Sequence, residues 1–439
     1  MKNSSGNFFR SSSFKFIVIG TLSLALMIPA VMIKNLIRER EMRNDAAQQE
    51  ISAKWGLAQT ITGPFITIPT EELVKENRKE ITIYHRLHIL PESLTINGDI
   101  KPVKKKRGIF STVVYSSLLE IEGYFDMDNE DLKKIQEKGT TGDKFYISTG
   151  ITDLRGIGNK SKIKINGKNV DFNPGLYNHE VTSRGIHVPI PISELEKKKK
   201  IEFVVTLELN GSSDMFFTPV GKVTETQINS PWPDPSFTGN FLPSEKKITE
   251  EGFTSTWSVN YLNRNYPQSW WDSDHHVEES SFGVNFLIPV NHYQKSTRAA
   301  KYAFMFIALT FLVFFLTEVI TRTRIHPIQY LLVGFALIIF YTLLISLAEH
   351  IGFNNAYFVS TLAVTLLIGY YIKTSTKSTR IGLISGSLLL VLYGYLFTTL
   401  QLQDLSLLMG SVGLFLVLAI IMIVSRRVNW YKEETDGDV

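Results

Sequence analysis

The residues best suited to chemistry lie at Asp272, Asp274, His275 and His276, a local group of the carboxylate and imidazole ligands that bind divalent metals. Neighbouring side chains in an extended segment point to opposite faces, so His275 and His276 do not readily share one ion. The group therefore reads as a solvated loop. Other reactive patterns are incomplete. His179-Glu180 opens a zinc-protease motif but lacks its second histidine, and Gly139-Thr-Thr-Gly142-Asp143-Lys144 lacks the spacing and the Ser/Thr of a phosphate-binding loop. Gly156-Ile-Gly158 lacks a third glycine, and no G-x-S-x-G nucleophile motif occurs. Cysteine is absent, which removes thiol catalysis, iron-sulfur ligation, Cys-based zinc sites and disulfides. Asp153 and Arg155, two residues apart on one face of an expected strand, are placed to form a structural ion pair. No catalytic residue, cofactor or metal is assigned, and the chain is expected not to be an enzyme.

The elements around these groups are dominated by six apolar stretches, each close to the ~20 residues with which a helix crosses a hydrocarbon core of ~30 Å. They run Phe14 to Ile33, Tyr302 to Ile320, Ile328 to Ala348, Phe353 to Ile372, Ile381 to Leu400 and Leu405 to Val424. The fold class is a multi-span α-helical membrane protein, six transmembrane helices arranged one plus five, with a large polar segment between the first and second. That segment, of roughly 270 residues, is long enough to bury a core of its own. The divisions are an N-terminus at 1–13, a first span at 14–33, a helical stalk at 34–58, a β-rich domain at 59–301, a five-helix membrane domain at 302–424 and a tail at 425–439.

Lys and Arg in short loops stay in the cytoplasm. Arg322, Arg324, Lys373, Lys377, Arg380, Arg426 and Arg427 all fall on one side, whereas Glu349 to Gly352 and Gln401 to Asp404 carry none. Both termini are then cytoplasmic and the large domain periplasmic. Lys34 to Arg43 and Lys295 to Lys301 run against this, but they flank a long loop, and long loops translocate largely regardless of charge. A cleaved signal peptide is the other reading of the first stretch. Its apolar run exceeds the usual ~7 to 15 residues, which favours a retained anchor.

No acidic or basic residue occupies the middle of a span, since Glu318, Glu349, His350 and Asp404 lie within about a turn of a boundary. Gly382 and Gly386 suit close helix contact, and Tyr370, Tyr371, Trp430 and Tyr431 suit the interface. Net charge is only +4, and the basic runs Lys104 to Arg107 and Lys197 to Lys200 read as solvated turns. Nucleic acid is therefore not an expected partner. The lipid bilayer is, together with an unidentified envelope protein or lipid.

Within the large segment apolar residues recur with period two, as in Ile81, Ile83, His85, Leu87, Ile89 and in Ile201, Phe203, Val205, Leu207, Leu209. Half-buried strands have this pattern. Asn97-Gly98, Asn166-Gly167 and Asn210-Gly211 each follow such a run, and Asn-Gly supplies the positive φ angles of a two-residue hairpin turn. An antiparallel β-rich domain follows, with one helical patch at Asn129 to Lys138. The echo between Ile165-Asn166-Gly167 and Leu209-Asn210-Gly211 is explained by two similar hairpins. Pro231, Pro233 and Pro235 remove three backbone donors, so residues 230–237 are expected as an extended loop, not a central strand. Trp232, Pro233, Asp234, Pro235 and Phe237 form the candidate partner-docking loop, with the two aromatics as anchors. The other reading makes the same residues a rigid cover over a sheet edge.

The run Ser230-Pro-Trp-Pro-Asp-Pro-Ser-Phe-Thr-Gly-Asn-Phe-Leu-Pro243, then Gly252-Phe253, Trp257 and Gly283-Val-Asn-Phe-Leu-Ile-Pro-Val-Asn-His-Tyr-Gln-Lys295, resembles the CreD family of bacterial inner-membrane proteins. Gly63-Pro64, Leu90-Pro91-Glu92, Arg107-Gly108-Ile109, Val114-Tyr115, Asp153-Leu-Arg155-Gly156 and Arg298 to Lys301 extend the resemblance over nearly the whole chain. It implies a role in cell envelope integrity, expression under the CreBC two-component system, and altered colicin tolerance or β-lactam response. It implies no reaction. Two rivals stand beside it: a transporter or lipid-handling protein, and a periplasmic enzyme on a membrane anchor.

Overall fold

The computed structural model describes residues 12–76, 79–128, 132, 135, 143–197, 199–272, 275–286, 292–321, 325–402 and 406–425. The chain divides into two compact units, Asn44–Pro289 on the one hand and Met1–Arg43 with Val290–Val439 on the other.

The helices are α1 (Ser12–Ala25), α2 (Met27–Trp55), α3 (Ser193–Lys197), α4 (His292–Lys301), α5 (Ala303–Thr321), α6 (Pro327–Ile351), α7 (Phe353–Thr376), α8 (Thr379–Gln401) and α9 (Ser406–Ser425). Among the described residues four helical stretches are long and apolar enough to cross a membrane: Ile17–Trp55, Pro327–Ile351, Phe353–Thr376 and Thr379–Gln401. Local chemistry sets their ends. The break at Leu26 lies where the ring of Pro29 meets the carbonyl four residues earlier, that of Ala25. Pro327 opens α6 behind a His326 cap that bonds reciprocally with Gln329. Gly352, at φ 78°, ends α6 and leads directly into α7. Lys377 and Ser378 then turn the chain into α8, with the Ser378 hydroxyl accepting from Ile381 N.

In the other unit the strands are β1 (Gln59–Glu76), β2 (Lys79–Ile89), β3 (Ser93–Arg107), β4 (Phe110–Asp126), β5 (Lys144–Ile151), β6 (Lys162–Ile165), β7 (Lys168–Val170), β8 (Asn173–Pro174) and β9 (Gly185–Pro191). They continue with β10 (Lys200–Ser212), β11 (Asp214–Thr218), β12 (Val223–Ser230), β13 (Pro235–Gly239), β14 (Glu245–Thr249), β15 (Gly252–Asn260), β16 (Ser269–Trp271) and β17 (Phe282–Phe286). One sheet runs β13-β17-β11-β1-β5-β9-β8, with β2 joining β1 to β16; the other runs β14-β15-β12-β3-β4-β10-β6-β7. Both contribute inward residues to a single hydrophobic core, Phe65, Phe145 and Phe282 from the first and Phe125, Phe203 and Trp257 from the second. The unit is a β-sandwich.

The alternation in β10 holds throughout, with Ile201, Phe203, Val205, Leu207 and Leu209 all buried. In β2 it splits. Leu87 and Ile89 enter the core, but Ile81 and Ile83 are exposed, because from His85 outward the described ladder of β2 is with β1 alone.

Three expectations are corrected. The sheets are mixed rather than purely antiparallel, since β1 runs parallel to β11 and β3 parallel to β12. Of the Asn-Gly pairs only Asn166-Gly167, with φ 49° and 79°, makes the hairpin turn, between β6 and β7. The other two lie inside strands, where glycine is used for clearance. A Cβ on Gly98 would come within 2.8 Å of Ile228 and Leu119, and one on Gly211 within 2.3 Å of the Tyr115 hydroxyl. The two similar hairpins therefore dissolve into one hairpin and one continuous strand. Finally, Asp153 caps a 3-10 turn at Leu154–Gly156 that contains Arg155, so the two do not lie on a strand. Of the expected helical patch, all but Leu132 and Ile135 lies outside the described residues; those two are helical and buried.

Because Tyr115 is rigidly held directly across the ladder from Gly211, a Gly211→Ala substitution is expected to destabilise the protein by about 1 to 3 kcal/mol, the usual cost of overpacking. Chemical denaturation of the purified chain measures it, and an unchanged midpoint contradicts it.

Candidate functional site

The proline-rich segment divides into two parts. Pro231 to Asp234 is not strand, as expected, but Pro235 opens β13, which pairs with β17 from Pro235↔Phe286 to Gly239↔Phe282 at the end of its sheet. An edge position tolerates a proline that cannot donate. Both aromatics face inward. Trp232 is 7% exposed, its Nε1 donates to the Asp234 carbonyl at 3.1 Å, and its ring meets Phe286 edge-on at 6.3 Å. Half-buried Phe237 packs edge-on against Phe253 (5.5 Å) and Trp257 (5.7 Å). Pro233 and Asp234 are exposed. Beside them opens a groove of about 480 Å³ lined in part by Asp99, Lys101, Asn229, Pro231, Lys247 and Glu251.

The suspected metal ligands do not converge. Asp272, at φ 45°, accepts from the Arg86 backbone N (2.5 Å) and bonds His85 Nδ1, while His275 stands edge-on to the Trp270 ring at 5.0 Å. Asp274 lies outside the described residues. Among the described residues no group of three or more His, Asp or Glu side chains is arranged to hold a metal.

Arg86 and Trp270 also belong to a larger polar assembly on the face of the first sheet opposite to Leu87 and Ile89, whereas His85 has the parity of those two core residues. Strand register aligns Trp270, His88, Thr67 and Tyr146 across β16, β2, β1 and β5. Tyr146 is stacked on Tyr177 at 4.0 Å, so the segment containing Tyr177, Asn178 and Glu180 lies over the row. His88 Nε2–H donates to Glu180 Oε2 at 2.7 Å, which leaves Nδ1 to accept from the Thr67 hydroxyl at 3.1 Å. Glu180 also accepts from Asn178 Nδ2 (2.8 Å) and from the Arg86 guanidinium. Hydroxyl, imidazole and carboxylate follow in the order of a hydrolytic relay. Thr67 and His88 are nevertheless completely buried, so the arrangement fastens a loop to a sheet instead of meeting a substrate. Burial lowers the His88 imidazole below its ordinary value, against the opposing pull of Glu180. Sequence reasoning missed His88 because its partners are 21 and 92 positions away. The available signal was its parity, opposite to that of Leu87 and Ile89.

A third constellation centres on Asp153, which is 3% exposed. Arg155 grips it in a fork, Nε to Oδ1 and a terminal N to Oδ2, both at 2.9 Å, and Leu57 N donates to Oδ2 at 3.0 Å. The Arg155 guanidinium holds this carboxyl below the usual range. Gln59 bonds the Asp153 backbone on both sides and the Asn210 carbonyl, while Arg155 reaches the Ala53 carbonyl near the end of α2. Alongside, Gln48 donates to Ser111 O and Trp55 Nε1 to Tyr115 O, joining the same stretch of α2 to β4. In the helical unit the boundary acids are engaged too: Glu349 by Tyr293 and Arg40, Glu318 by Tyr330 and Ile325 N.

Long apolar helices joined in one chain to a β-sandwich, whose ionisable clusters serve to tie loops and a helix end together, define a membrane protein with a large β domain. A family model described as Inner membrane protein CreD matches residues 11–431. Inner membrane protein CreD of Escherichia coli (strain K12) is 33% identical over 414 residues, covering 93% of this chain and 91% of that protein. The chain belongs to the CreD family.

Two outcomes follow from the site. With its folded value lowered, His88 resists a proton that the unfolded chain accepts below about pH 6.5, so the His88 contribution to stability falls as pH drops from there toward the folded value. Melting of the full-length protein between about pH 7.5 and 5 should show this slope, and His88→Gln should flatten it. Trp232→Ala should lower stability by about 3 to 5 kcal/mol and reduce membrane abundance, whereas Asp234→Ala should stay within about 0.5 kcal/mol. Normal abundance of the Trp232 variant contradicts its role as core.

Proposed function

We propose that this protein contributes to cell envelope integrity and the envelope stress response by contact, not by catalysis. In this reading six helices, covering 14–33 and the five stretches within 302–424, cross the inner membrane. Both termini lie in the cytoplasm, and the β-rich domain stands in the periplasm on the helical stalk 34–58. The one-sided charges of the short loops support the orientation, and the family supports the inner membrane.

The observation that carries the contact reading is the commitment of the clustered ionisable groups of the sandwich. Asp153, Glu180, His88, Arg86 and Asp272 are bonded to one another or to backbone, whereas acid-base or nucleophilic chemistry requires such groups to face a substrate. An envelope protein or lipid is the partner in this reading, met along the segment Trp232 to Phe237. Trp232 and Phe237 hold the segment in place, and Pro233 and Asp234 present its exposed rim.

Cells lacking the protein should show altered colicin tolerance or β-lactam response. A chain carrying His88→Gln and Asp272→Asn should restore both wherever its membrane abundance is normal; failure at normal abundance overturns the non-catalytic reading. The absence of native cysteine allows the orientation to be tested directly. A membrane-impermeant thiol reagent applied to intact cells should label a cysteine at Glu250 but not one at Thr379, and the reverse pattern overturns the topology.

A further inference from the structure

Hydroxyl groups in these helices normally satisfy themselves. Ser23, Thr310, Thr374, Thr376, Thr398 and Thr399 each donate to a carbonyl four residues back, at 2.7 to 3.1 Å. One face of α7 breaks this habit. Tyr357, Ser360, Thr361 and Thr365 follow the i, i+3, i+4, i+8 spacing of a single helical stripe. Tyr357 donates across to the Tyr393 carbonyl of α8 at 2.7 Å. The Ser360 and Thr365 hydroxyls, at 0% and 4% residue exposure, have no hydrogen-bond partner among the described residues.

The same is true of the hydroxyls of Tyr341 on α6 and Tyr393 on α8, two further residues almost fully enclosed in the bundle. Phe340, adjacent to Tyr341, packs against both Tyr357 (5.4 Å) and Tyr393 (4.5 Å), so the three helices share one interior. Tyr357 and Thr365 lie four and twelve residues from the start of α7 at Phe353, or ~6 and ~18 Å along its axis. Buried polar atoms are almost always bonded, and a cluster of orphaned hydroxyls at one helix interface is accounted for by a guest that bonds them. With no ionised residue in the middle of these spans, the guest has no counter-charge and must be neutral.

We propose that the hydroxyl face of α7, closed by Tyr341 and Tyr393, binds an uncharged hydrogen-bonding oxygen within the helix bundle, supplied either by water or by the hydroxyl or carbonyl of a lipid head. The site is independent of the contact function proposed above. The stripe covers ~12 Å of α7 beside the contacts of Phe340 with Tyr357 and Tyr393, and a small polar group would complete these bonds.

Tyr→Phe removes the hydroxyl and nothing else, and its sign is diagnostic. Deleting an orphan relieves a cost and raises stability, whereas deleting a group that holds a guest strands the guest and lowers it. The full-length protein carrying Tyr341→Phe and Tyr393→Phe should melt lower by about 2 to 4 °C in detergent. In the cysteine-free background Ser360→Cys should react with a small water-soluble thiol reagent faster than Thr310→Cys, whose parent hydroxyl bonds its own helix. If lipid is the source, reconstitution into phosphatidylethanolamine and phosphatidylglycerol vesicles should protect Ser360→Cys from the reagent. If water is the source, its rate should be the same in detergent and vesicles. An unchanged or higher melting temperature of the double variant, or a Ser360→Cys no more reactive than Thr310→Cys, overturns the site.

Discussion

The carboxylate of Asp153 is the point on which the β unit is assembled. It is almost wholly buried, and a buried charge is tolerable only when its lone pairs are taken. Here they are taken by Arg155 and by Leu57 N, while the Asp153 backbone is held by Gln59. Those partners come from the end of α2, the start of β1 and the turn after β5, and Gln59 adds the Asn210 carbonyl of β10. Both sheets are therefore indexed to one helix end. β1 starts from this point, and β11, β5 and β2 all pair with it.

The first sheet has a polar side built on the same rule. Leu87, Ile89, Ile66 and Ile68 enter the hydrophobic core from one face, whereas the alternate positions His88 and Thr67 form a polar row with Tyr146, next to Trp270, which is itself buried in the core cluster. A histidine there would be costly without partners, and Thr67 and Glu180 supply one for each ring nitrogen. The loop that brings Glu180 is thereby fixed to the sheet. A constellation that looks reactive on paper is thus consumed by structure. The same holds for Asp272, whose carboxylate serves Arg86 and His85 instead of an ion.

The helical unit answers the constraint differently. Backbone groups are satisfied within each helix, and tight connections such as Gly352 leave little loop to satisfy. Side chains near the helix ends find partners, as Glu318 and Glu349 do. Close packing of α7 and α8 uses glycine, where a Cβ on Gly382 would fall 2.8 Å from the Gly369 carbonyl. The hydroxyls of Ser360, Thr365, Tyr341 and Tyr393 are among the departures from this economy, as is that of Ser296 on α4.

What the sequence by itself determined is what periodicity and length encode. Apolar stretches of membrane-spanning length marked the long helices, and the two-residue period marked β10, because burial on one face is a local pattern. The proline spacing located the irregular segment before β13, since a missing N–H is a property of the residue alone. Tertiary structure alone decided which strands met. The parallel pairings of β1 with β11 and β3 with β12 join segments more than a hundred residues apart, and no local pattern specifies such a partner. It also decided what glycine was for. Asn97-Gly98 and Asn210-Gly211 have the same local turn chemistry as Asn166-Gly167, but Ile228, Leu119 and Tyr115 occupy the space where a Cβ would stand. His88 and Glu180 became a site for the same reason: hydrogen bonds between residues 92 positions apart depend on where the folded chain brings them, not on their spacing.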